Sequence, residues 1–212
     1  MIQLSYSAIA NCLQENNSHA WINRVMKLPA YESDAMRNGK RLHRIIQDHF
    51  SGKIPREDLS HIPYKFEIVE EKEKDERTHF EIQINTDFTF HGYNDGKCMF
   101  PPALLEIKTG SKMWSIRDFL FSEQIACYCY ANPFASEIIC VTALADENMW
   151  KVKQPKFYKI ENTREIREKG MNYIYNAIHV FNTSKFKGGL IENVCQGCSW
   201  GKSCYFAKNV QN

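Results

Sequence analysis

Apolar residues recur along the chain with two different spacings, and each spacing predicts one type of element. Apolar positions three and four residues apart predict helices near residues 6–12, 33–50, 115–130 and 163–181. Alternation of apolar and polar positions predicts strands near residues 65–69, 80–84, 87–94, 103–108, 137–144 and 153–160. Ser5 is placed to cap the first helix, and Ser51-Gly52 is placed to end the second.

The order of these elements predicts the fold class. Helices come first, a run of strands follows, and a helix, two strands and a last helix complete the chain. This order favours an α/β (α+β) fold in which a mixed sheet is flanked by helices. The sequence contains no internal repeat and no low-complexity linker, so we expect one domain over residues 1–212.

The composition is that of a globular domain and excludes several other classes. Of the 212 residues, 43% are hydrophobic and 25% are charged, which suits a sizeable core and argues against disorder. No stretch approaches the roughly 18 apolar residues of a membrane span, and the first residues lack the pattern of a secretory signal. We therefore expect a cytoplasmic protein with no membrane partner. The net charge of +2 is too small to indicate nucleic-acid binding by itself.

The eight cysteines fall into separate groups. The cysteines in apolar surroundings are predicted to be small buried side chains; these are Cys98, Cys127, Cys129 and Cys140. Near the C-terminus, Cys195 and Cys198 are separated by two residues and Cys204 follows after five more. This spacing is typical of metal ligands, and such a site needs a fourth ligand from elsewhere in the chain.

The densest group of charged side chains lies between residues 92 and 108. Because side chains alternate along a strand, Glu106 and Lys108 should share one side of their strand. We expect the turn at residues 96–102 to make this strand and the preceding one antiparallel neighbours. Asp95 would then converge with Glu106.

Two carboxylates and a lysine at one place have a chemical use. The carboxylates are hard oxygen ligands for Mg²⁺ or Mn²⁺, and such an ion activates both a phosphoryl group and a water. The lysine can orient or deprotonate that water and balance developing negative charge. The alternative is a surface ion pair, since Glu-x-Lys is common by chance. The apolar strand around Glu106 and Lys108 favours the chemical interpretation, because buried strands otherwise avoid charges.

Four motifs with a bearing on this chemistry follow one another along the chain. They are Gly39-x-x-x-His43, Gly92-Tyr93-Asn94-Asp95-Gly96, Leu105-Glu106-Ile107-Lys108-Thr109-Gly110 and Gln124-x-x-x-Tyr128. In this order they resemble the RecB-like branch of the PD-(D/E)XK nuclease superfamily. The resemblance implies a restriction-endonuclease-like core over residues 33–182. Asn94 departs from the proline of the superfamily motif. Gln47 stands where a glutamate often occurs, so a supporting contact is expected to be missing.

The resemblance also implies a role for each residue of the site. The metal ligands would be His43, Asp95, Glu106 and the main-chain carbonyl of Ile107. Lys108 would be the catalytic lysine. Gln124 and Tyr128, four residues apart on one helical face, would position a phosphate or the scissile strand. The metal would be Mn²⁺ or Mg²⁺, and an imidazole ligand predicts that Mn²⁺ works at least as well as Mg²⁺. Taken singly, each residue also has an ordinary structural interpretation.

The cysteines add a second resemblance within the same branch. In its iron–sulfur members, one cysteine before the nuclease core and three after it hold a [4Fe–4S] cluster. The implied ligands here are Cys12, Cys195, Cys198 and Cys204, in a clasp formed by residues 1–20 and 190–208. Four thiolates suit zinc as well, so the ligands alone leave Zn²⁺ open.

The function implied by the resemblance is that of a metal-dependent DNA exonuclease of the CRISPR-associated type. It would act on the ends of single-stranded DNA, with CRISPR integrase proteins as partners. A viral or phage relative in recombination or repair would carry the same motifs. Two other classes stay open, a non-catalytic DNA- or protein-binding module and a zinc-stapled structural protein. Candidates for further DNA contacts are Lys40, Arg41, Lys112, Arg117 and Trp114.

Overall fold

The computed structural model of the chain describes residues 2–13, 34–60, 64–67, 78–110, 112–145 and 152–183. The chain divides into two compact units. Unit 1 draws on Met1–Ser33, Gln83–Phe90 and Asn172–Asn212, and unit 2 draws on Asp34–Ile82 and His91–Met171. Within the described ranges, no helix combines the length and the apolarity that crossing a membrane requires.

The described elements follow the predicted order closely. Along the chain they are β1 (Ile2–Leu4), α1 (Tyr6–Leu13), α2 (Asp34–Phe50), a 3₁₀ turn (Glu57–Leu59), β2 (His79–Gln83), β3 (Phe88–Tyr93), β4 (Gly96–Met99), β5 (Pro102–Gly110), α3 (Ile116–Leu120), α4 (Glu123–Ala131), β6 (Glu137–Ala145), β7 (Val152–Glu161) and α5 (Arg164–Thr183). The predicted strand 65–69 is described only in part, and there Glu67 forms an isolated bridge with Lys97.

Unit 1 contains the first strand and helix of the chain. The Ala8 amide donates to the Ser5 hydroxyl at 3.3 Å, which confirms the predicted cap of α1. Strand β1 pairs in parallel with the first part of β3. The ring of Tyr6 in α1 stacks on Tyr173 in α5, with 6.3 Å between the ring centroids. The helices at the two ends of the described chain are therefore in direct contact.

The main sheet of unit 2 has the strand order β4-β5-β6-β7. Strands β5 and β6 are parallel, and both outer pairs are antiparallel. The mixed sheet is therefore confirmed. The centre of β5 is buried on both faces, which explains why its sequence is an almost continuous apolar run.

Helices cover both faces of this sheet. On one face, Leu42 and Ile46 of α2 join Leu105 in a buried apolar cluster. On the other face, Leu104 packs with Ile125 of α4 in a second cluster. Neighbouring residues of β5 thus enter different cores, as alternation along a strand requires. Gly52, at a φ of 77°, lies just beyond α2 and confirms the predicted end of that helix.

The four cysteines predicted to be buried are indeed buried in the described core. Burial raises the pKa of Cys127 to about 12 and that of Cys129 to about 12. Thiols with such pKa values remain protonated and unreactive near neutral pH. These side chains therefore act as small apolar groups of the core.

Two sequence predictions about the fold are wrong. The neighbour of β5 is not the strand at 87–94 but β4, because the predicted turn is itself extended and Gly96 pairs with Leu105. The predicted helix at 115–130 is two helices, because Ser122 starts a new one. Its hydroxyl accepts a hydrogen bond from the Ile125 amide at 3.4 Å, which is a helix N-cap contact.

The approach of α5 to α4 depends on a glycine. A Cβ built on Gly170 would fall on the main-chain carbonyl of Ala126, well inside van der Waals contact. We expect Gly170→Ala to lower the free energy of unfolding by about 3 kcal/mol, because a helix backbone must shift to admit the methyl group. Urea denaturation measures the loss. Gly110→Ala is the control, since nothing lies within 4 Å of a Cβ built there. Equal stability of the two variants would contradict this packing.

Candidate metal and phosphodiester site

The residues predicted to form one site lie in unit 2 and come from three of its elements and one connecting segment. Strand β5 supplies Glu106, Ile107 and Lys108, and the segment just before β4 supplies Asp95. Helix α2 supplies His43, and helix α4 supplies the pair Gln124 and Tyr128. The structure brings all of these residues into one connected group of contacts.

Asp95 is the centre of the first half of the group. Its Oδ2 accepts a hydrogen bond from the Ile107 amide at 2.6 Å, and its Oδ1 lies 3.3 Å from His43 Nε2. The Gln47 side-chain amide donates to the Asp95 main-chain carbonyl at 3.3 Å. The expectation that Gln47 leaves a supporting contact missing is therefore wrong. A neutral amide holds the Asp95 backbone from the helix that also carries His43.

Lys108 is the centre of the second half. Its ammonium lies 2.7 Å from Glu106 Oε1 and donates to Gln124 Oε1 at 2.6 Å. The same ammonium lies 5.3 Å from the centre of the Trp114 ring, within range of a cation–π contact. A carboxylate, an amide oxygen and an aromatic face thus fix the position of the lysine charge.

The electrostatics of the site follow from a buried carboxylate, Glu106, near a partly buried one, Asp95. Glu106 is only 3% exposed. Burial raises its pKa, the negative charge of Asp95 raises it further, and Lys108 acts in the opposite direction. For His43, burial lowers the pKa, but the charge and hydrogen bond of Asp95 outweigh burial, so the pKa is raised. Two acids are thus balanced by an imidazole and an ammonium.

Tyr128 lies one helical turn after Gln124 in α4 and is the last member of this group of residues. Burial raises the pKa of its hydroxyl, the charge of Glu106 raises it further, and a hydrogen bond with Gln124 has the opposite effect. The phenol is therefore neutral at physiological pH. Its ring packs edge-on against Phe80 of β2, with 5.2 Å between the centroids. Gln124, which accepts a hydrogen bond from Lys108, and Tyr128 thus lie beside the acids.

The donor set suits a hard divalent cation in its chemistry. Two carboxylates, a main-chain carbonyl and an imidazole are the ligands expected for Mn²⁺ or Mg²⁺. The negative charge of Asp95 raises the pKa of Glu106, and a bound cation would offset this repulsion. Among the described residues, however, no group of three or more His, Cys, Asp and Glu side chains is arranged to hold one ion. Instead, Asp95 contacts His43 and Glu106 contacts Lys108.

Asn94 is a residue whose importance the sequence did not reveal. It is 5% exposed, and its main-chain amide donates to the Thr78 carbonyl at 2.9 Å. Its side-chain amide donates to Asn132 Oδ1 at 3.3 Å, and the Asn132 amide donates to the Tyr128 carbonyl at 2.9 Å. This buried pair of asparagines ties the residue before Asp95 to the end of α4. No local pattern in the sequence marks this contact, since Asn94 stands in the polar segment Gly92-Tyr93-Asn94-Asp95-Gly96.

The residues predicted to contact DNA differ in their exposure in the structure. The basic residues are exposed; they are Lys40, Arg41, Lys112 and Arg117. The Lys112 ammonium lies 3.7 Å from Asp118. Trp114 is half-buried, and its ring faces both Lys108 and Phe119. Contacts of these residues with DNA stay a prediction.

The predicted cysteine clasp lies largely outside the described residues. Cys195, Cys198 and Cys204 all fall there, and for Cys12 only the backbone position in α1 is described. The clasp and its metal therefore stay a prediction.

Comparison with known proteins shows the fold of the chain. No protein-family model matches it, and no curated protein matches it. Among solved structures, it is similar to SSO0001, with a TM-score of 0.55 and 15% identity over 97% of this chain and 87% of the other. It is also similar to LHK-Exo, an alkaline exonuclease from Laribacter hongkongensis, with a TM-score of 0.50 and 13% identity over 85% and 90% of the chains.

A third structure is that of a candidate exonuclease from Eubacterium rectale. It has a TM-score of 0.50 and 10% identity over 85% of this chain and 82% of the other. The fold of this chain is therefore one that occurs in exonucleases, in agreement with the predicted nuclease-like core. At identities of 10–15%, the similarity concerns the fold alone.

The contact between His43 and Asp95 has a measurable consequence. In metal-free protein, in the presence of a chelator, we expect His43 to titrate above the 6.5 of an ordinary histidine, as read from its ring-proton NMR shifts. Asp95→Asn should lower that pKa. Because the folded-state pKa is raised, the contact stabilises the fold fully below about pH 6.5, and its contribution is lost as pH rises through the folded value.

The parent should therefore lose more stability than Asp95→Asn between about pH 5.5 and about pH 8.5. Thermal unfolding of the parent and of Asp95→Asn at both pH values measures this difference. Titratable groups that the two proteins share affect both equally and cancel. A His43 pKa at or below 6.5 in the parent would contradict the contact.

Proposed function

We propose that this protein is a divalent-metal-dependent nuclease that hydrolyses phosphodiester bonds at the ends of single-stranded DNA. The observation that carries the proposal is the convergence of His43 from α2 and Asp95 from the segment before β4 with Glu106 and Lys108 of β5. The occurrence of the same fold in an alkaline exonuclease supports it.

The residues have distinct roles in this reaction. His43, Asp95, Glu106 and the Ile107 carbonyl would hold the ion. A divalent ion there would polarise the scissile phosphate and make the attacking water more acidic. Water forms the new bond to phosphorus, the bond to the leaving oxygen breaks, and that oxygen takes up a proton. Lys108 orients the water and balances the negative charge that develops on the phosphoryl oxygens.

Gln124 and Tyr128 assist through position. Gln124 accepts a hydrogen bond from Lys108 and so restrains the ammonium. Tyr128 keeps its proton, so its hydroxyl is a hydrogen-bond donor for a phosphate oxygen of the bound strand. Both side chains project from one face of α4 because they are four residues apart.

The alternative is a non-catalytic module that binds DNA or protein. One observation favours it: the acids already contact a histidine and a lysine, and no ready set of three ligands exists among the described residues. A scaffold would need no more than these charge pairs. A DNA hydrolysis assay distinguishes the nuclease from the non-catalytic module.

We propose in addition that Cys12, Cys195, Cys198 and Cys204 hold a [4Fe–4S] cluster, with Zn²⁺ as the alternative. The stacking of Tyr6 on Tyr173 supports a meeting of the chain ends, because α1 carries Cys12 and α5 precedes the other three cysteines. Ligation would offset the entropy lost when these segments are ordered. The sequence resemblance supports a role in CRISPR spacer acquisition beside integrase proteins, or in viral recombination and repair.

Loss of the lysine or of the buried acid should slow the reaction strongly. We expect Lys108→Ala and Glu106→Ala to slow Mn²⁺-dependent degradation of end-labelled single-stranded DNA by about 10²-fold or more. Lys108→Met keeps the length of the side chain and guards against a folding defect, which circular dichroism checks. Lys156→Ala, at an exposed lysine of β7, is the control and should act like the parent. Parent-like digestion by Lys108→Ala and Lys108→Met would remove Lys108 from the site.

The clasp has a test of its own. We expect Cys198→Ser to lower the iron content and the melting temperature, while protein that stays folded retains nuclease activity. Iron analysis and the broad visible absorption of a cluster distinguish iron–sulfur from zinc. Cys98→Ala, at a buried core cysteine, is the control and should keep its metal. Unchanged metal content and melting in Cys198→Ser would exclude the clasp.

A further inference from the structure

Three aromatic rings form a continuous cluster on one face of the strands that lead into the candidate site. His79 belongs to β2, and His91 and Tyr93 belong to β3. The His79 ring lies 4.9 Å from the Tyr93 ring and 6.2 Å from the His91 ring, measured between centroids. We call these three residues the aromatic platform.

The register of the two strands places the platform on their outer face. The Asn94 amide donates to the Thr78 carbonyl, which sets His79 beside Tyr93 across the hairpin. The opposite face of the strands is occupied, since the ring of Phe80 lies over Gly92 and against Tyr128. Side chains that alternate with these inner residues must point outward.

Exposure agrees with this assignment. Tyr93 is 41% exposed, which is large for an aromatic side chain in a strand. Glu81, the next residue on the same face of β2, is exposed as well. This face therefore combines two imidazoles and a phenol with the carboxylate of Glu81. Such a face suits a ligand with both a flat ring face and polar edges.

The platform is also close to the candidate site along the backbone. Tyr93 precedes Asp95 by two residues, and two residues of extended chain span about 7 Å. Asp95 in turn contacts His43 and the Ile107 amide. A nucleotide next to the scissile phosphate would therefore have its base within reach of the tyrosine ring.

We propose that the aromatic platform is a stacking subsite for an unpaired nucleobase beside the scissile phosphate. This inference rests on the proposed nuclease function and adds a physical reason for a preference for single-stranded over duplex DNA. Aromatic rings stack on the faces of bases whatever their sequence. The faces of paired bases inside a duplex are already covered by their neighbours, so a stacking subsite favours single strands.

A simpler role for the rings is to stabilise the sheet as cross-strand pairs. In that case, their removal would lower stability but would leave the preference for single strands unchanged. Binding, measured apart from stability, therefore separates the two roles.

The first experiment uses the unmodified protein and needs no variant. Fluorescence anisotropy in a chelator measures binding of a labelled single-stranded oligonucleotide without hydrolysis. A set of oligonucleotides, each with one abasic position, is compared with the intact strand. We expect one abasic position to weaken binding roughly tenfold, which corresponds to the loss of one base–aromatic stack. Equal binding by every member of the set would overturn the subsite.

The second experiment assigns the stack to the platform. Tyr93→Ala should weaken binding of the single strand roughly tenfold and should abolish the penalty of the abasic position. Tyr93→Phe keeps the ring and should bind like the parent. Tyr175→Ala removes a tyrosine of similar exposure, 45%, from α5 and is the matched control. An abasic penalty that persists in Tyr93→Ala would overturn the assignment, since the stack would then lie elsewhere.

Duplex binding and kinetics complete the test. Tyr93→Ala should leave the affinity for a duplex of the same sequence unchanged and should raise KM for single strands with little change in kcat. An equal loss of affinity for duplex and single strand would overturn the proposal. The proposed function can fail separately: if the parent stacks bases but hydrolyses no DNA with Mn²⁺ or Mg²⁺, the subsite stands and the nuclease does not. If the parent hydrolyses DNA but no abasic position weakens binding, the nuclease stands and the subsite does not.

Discussion

Burial of the Glu106 carboxylate in an apolar strand is the constraint on which the candidate site depends. A buried carboxylate costs on the order of several kcal/mol unless opposite charge and hydrogen bonds compensate for lost water. Lys108 supplies that charge from the same side of β5, and Gln124 and Trp114 hold the lysine in place. Asp95 adds a second negative charge, which His43 balances from α2. The helices on the two faces of the sheet therefore do more than cover it, because each brings part of the compensation.

Local patterns were sufficient to predict most of the elements. The apolar run of β5 and the alternation that sends Glu106 and Lys108 to one side are properties of a single strand, and both are readable from the sequence. The end of α2 at Gly52 is equally local, since it rests on a backbone conformation that favours glycine. Strand β4 was missed because its four residues carry no strong alternation, and its pairing with β5 depends on a partner. The break between α3 and α4 depends on a serine cap inside a stretch with otherwise helical spacing.

The site was predictable as a set of residues but not as a set of contacts. The motifs indicated which side chains converge, yet the hydrogen bond of Gln47 to the Asp95 carbonyl depends on how α2 packs on the sheet. The link from Asn94 through Asn132 to Tyr128 joins segments that are far apart in the sequence. Neither interaction has a local pattern, because a buried amide is recognised only by the partners that satisfy it. Such contacts nonetheless fix the two halves of the site relative to each other.

The choice between an enzyme and a scaffold turns on what the buried charges contribute. A buried ion pair is on average no more stabilising than apolar residues of similar volume, and its replacement is often neutral or stabilising. A protein that needed only this fold would gain little from Glu106 and Lys108 in the centre of its sheet. The contact between Asp95 and His43, which is only partly buried, brings a second pair of charges to the same place. Since stability alone gives little reason for Glu106 and Lys108 in the sheet, the proposed chemical role offers an explanation for them, and the types of group gathered here suit the proposed hydrolysis of a phosphodiester.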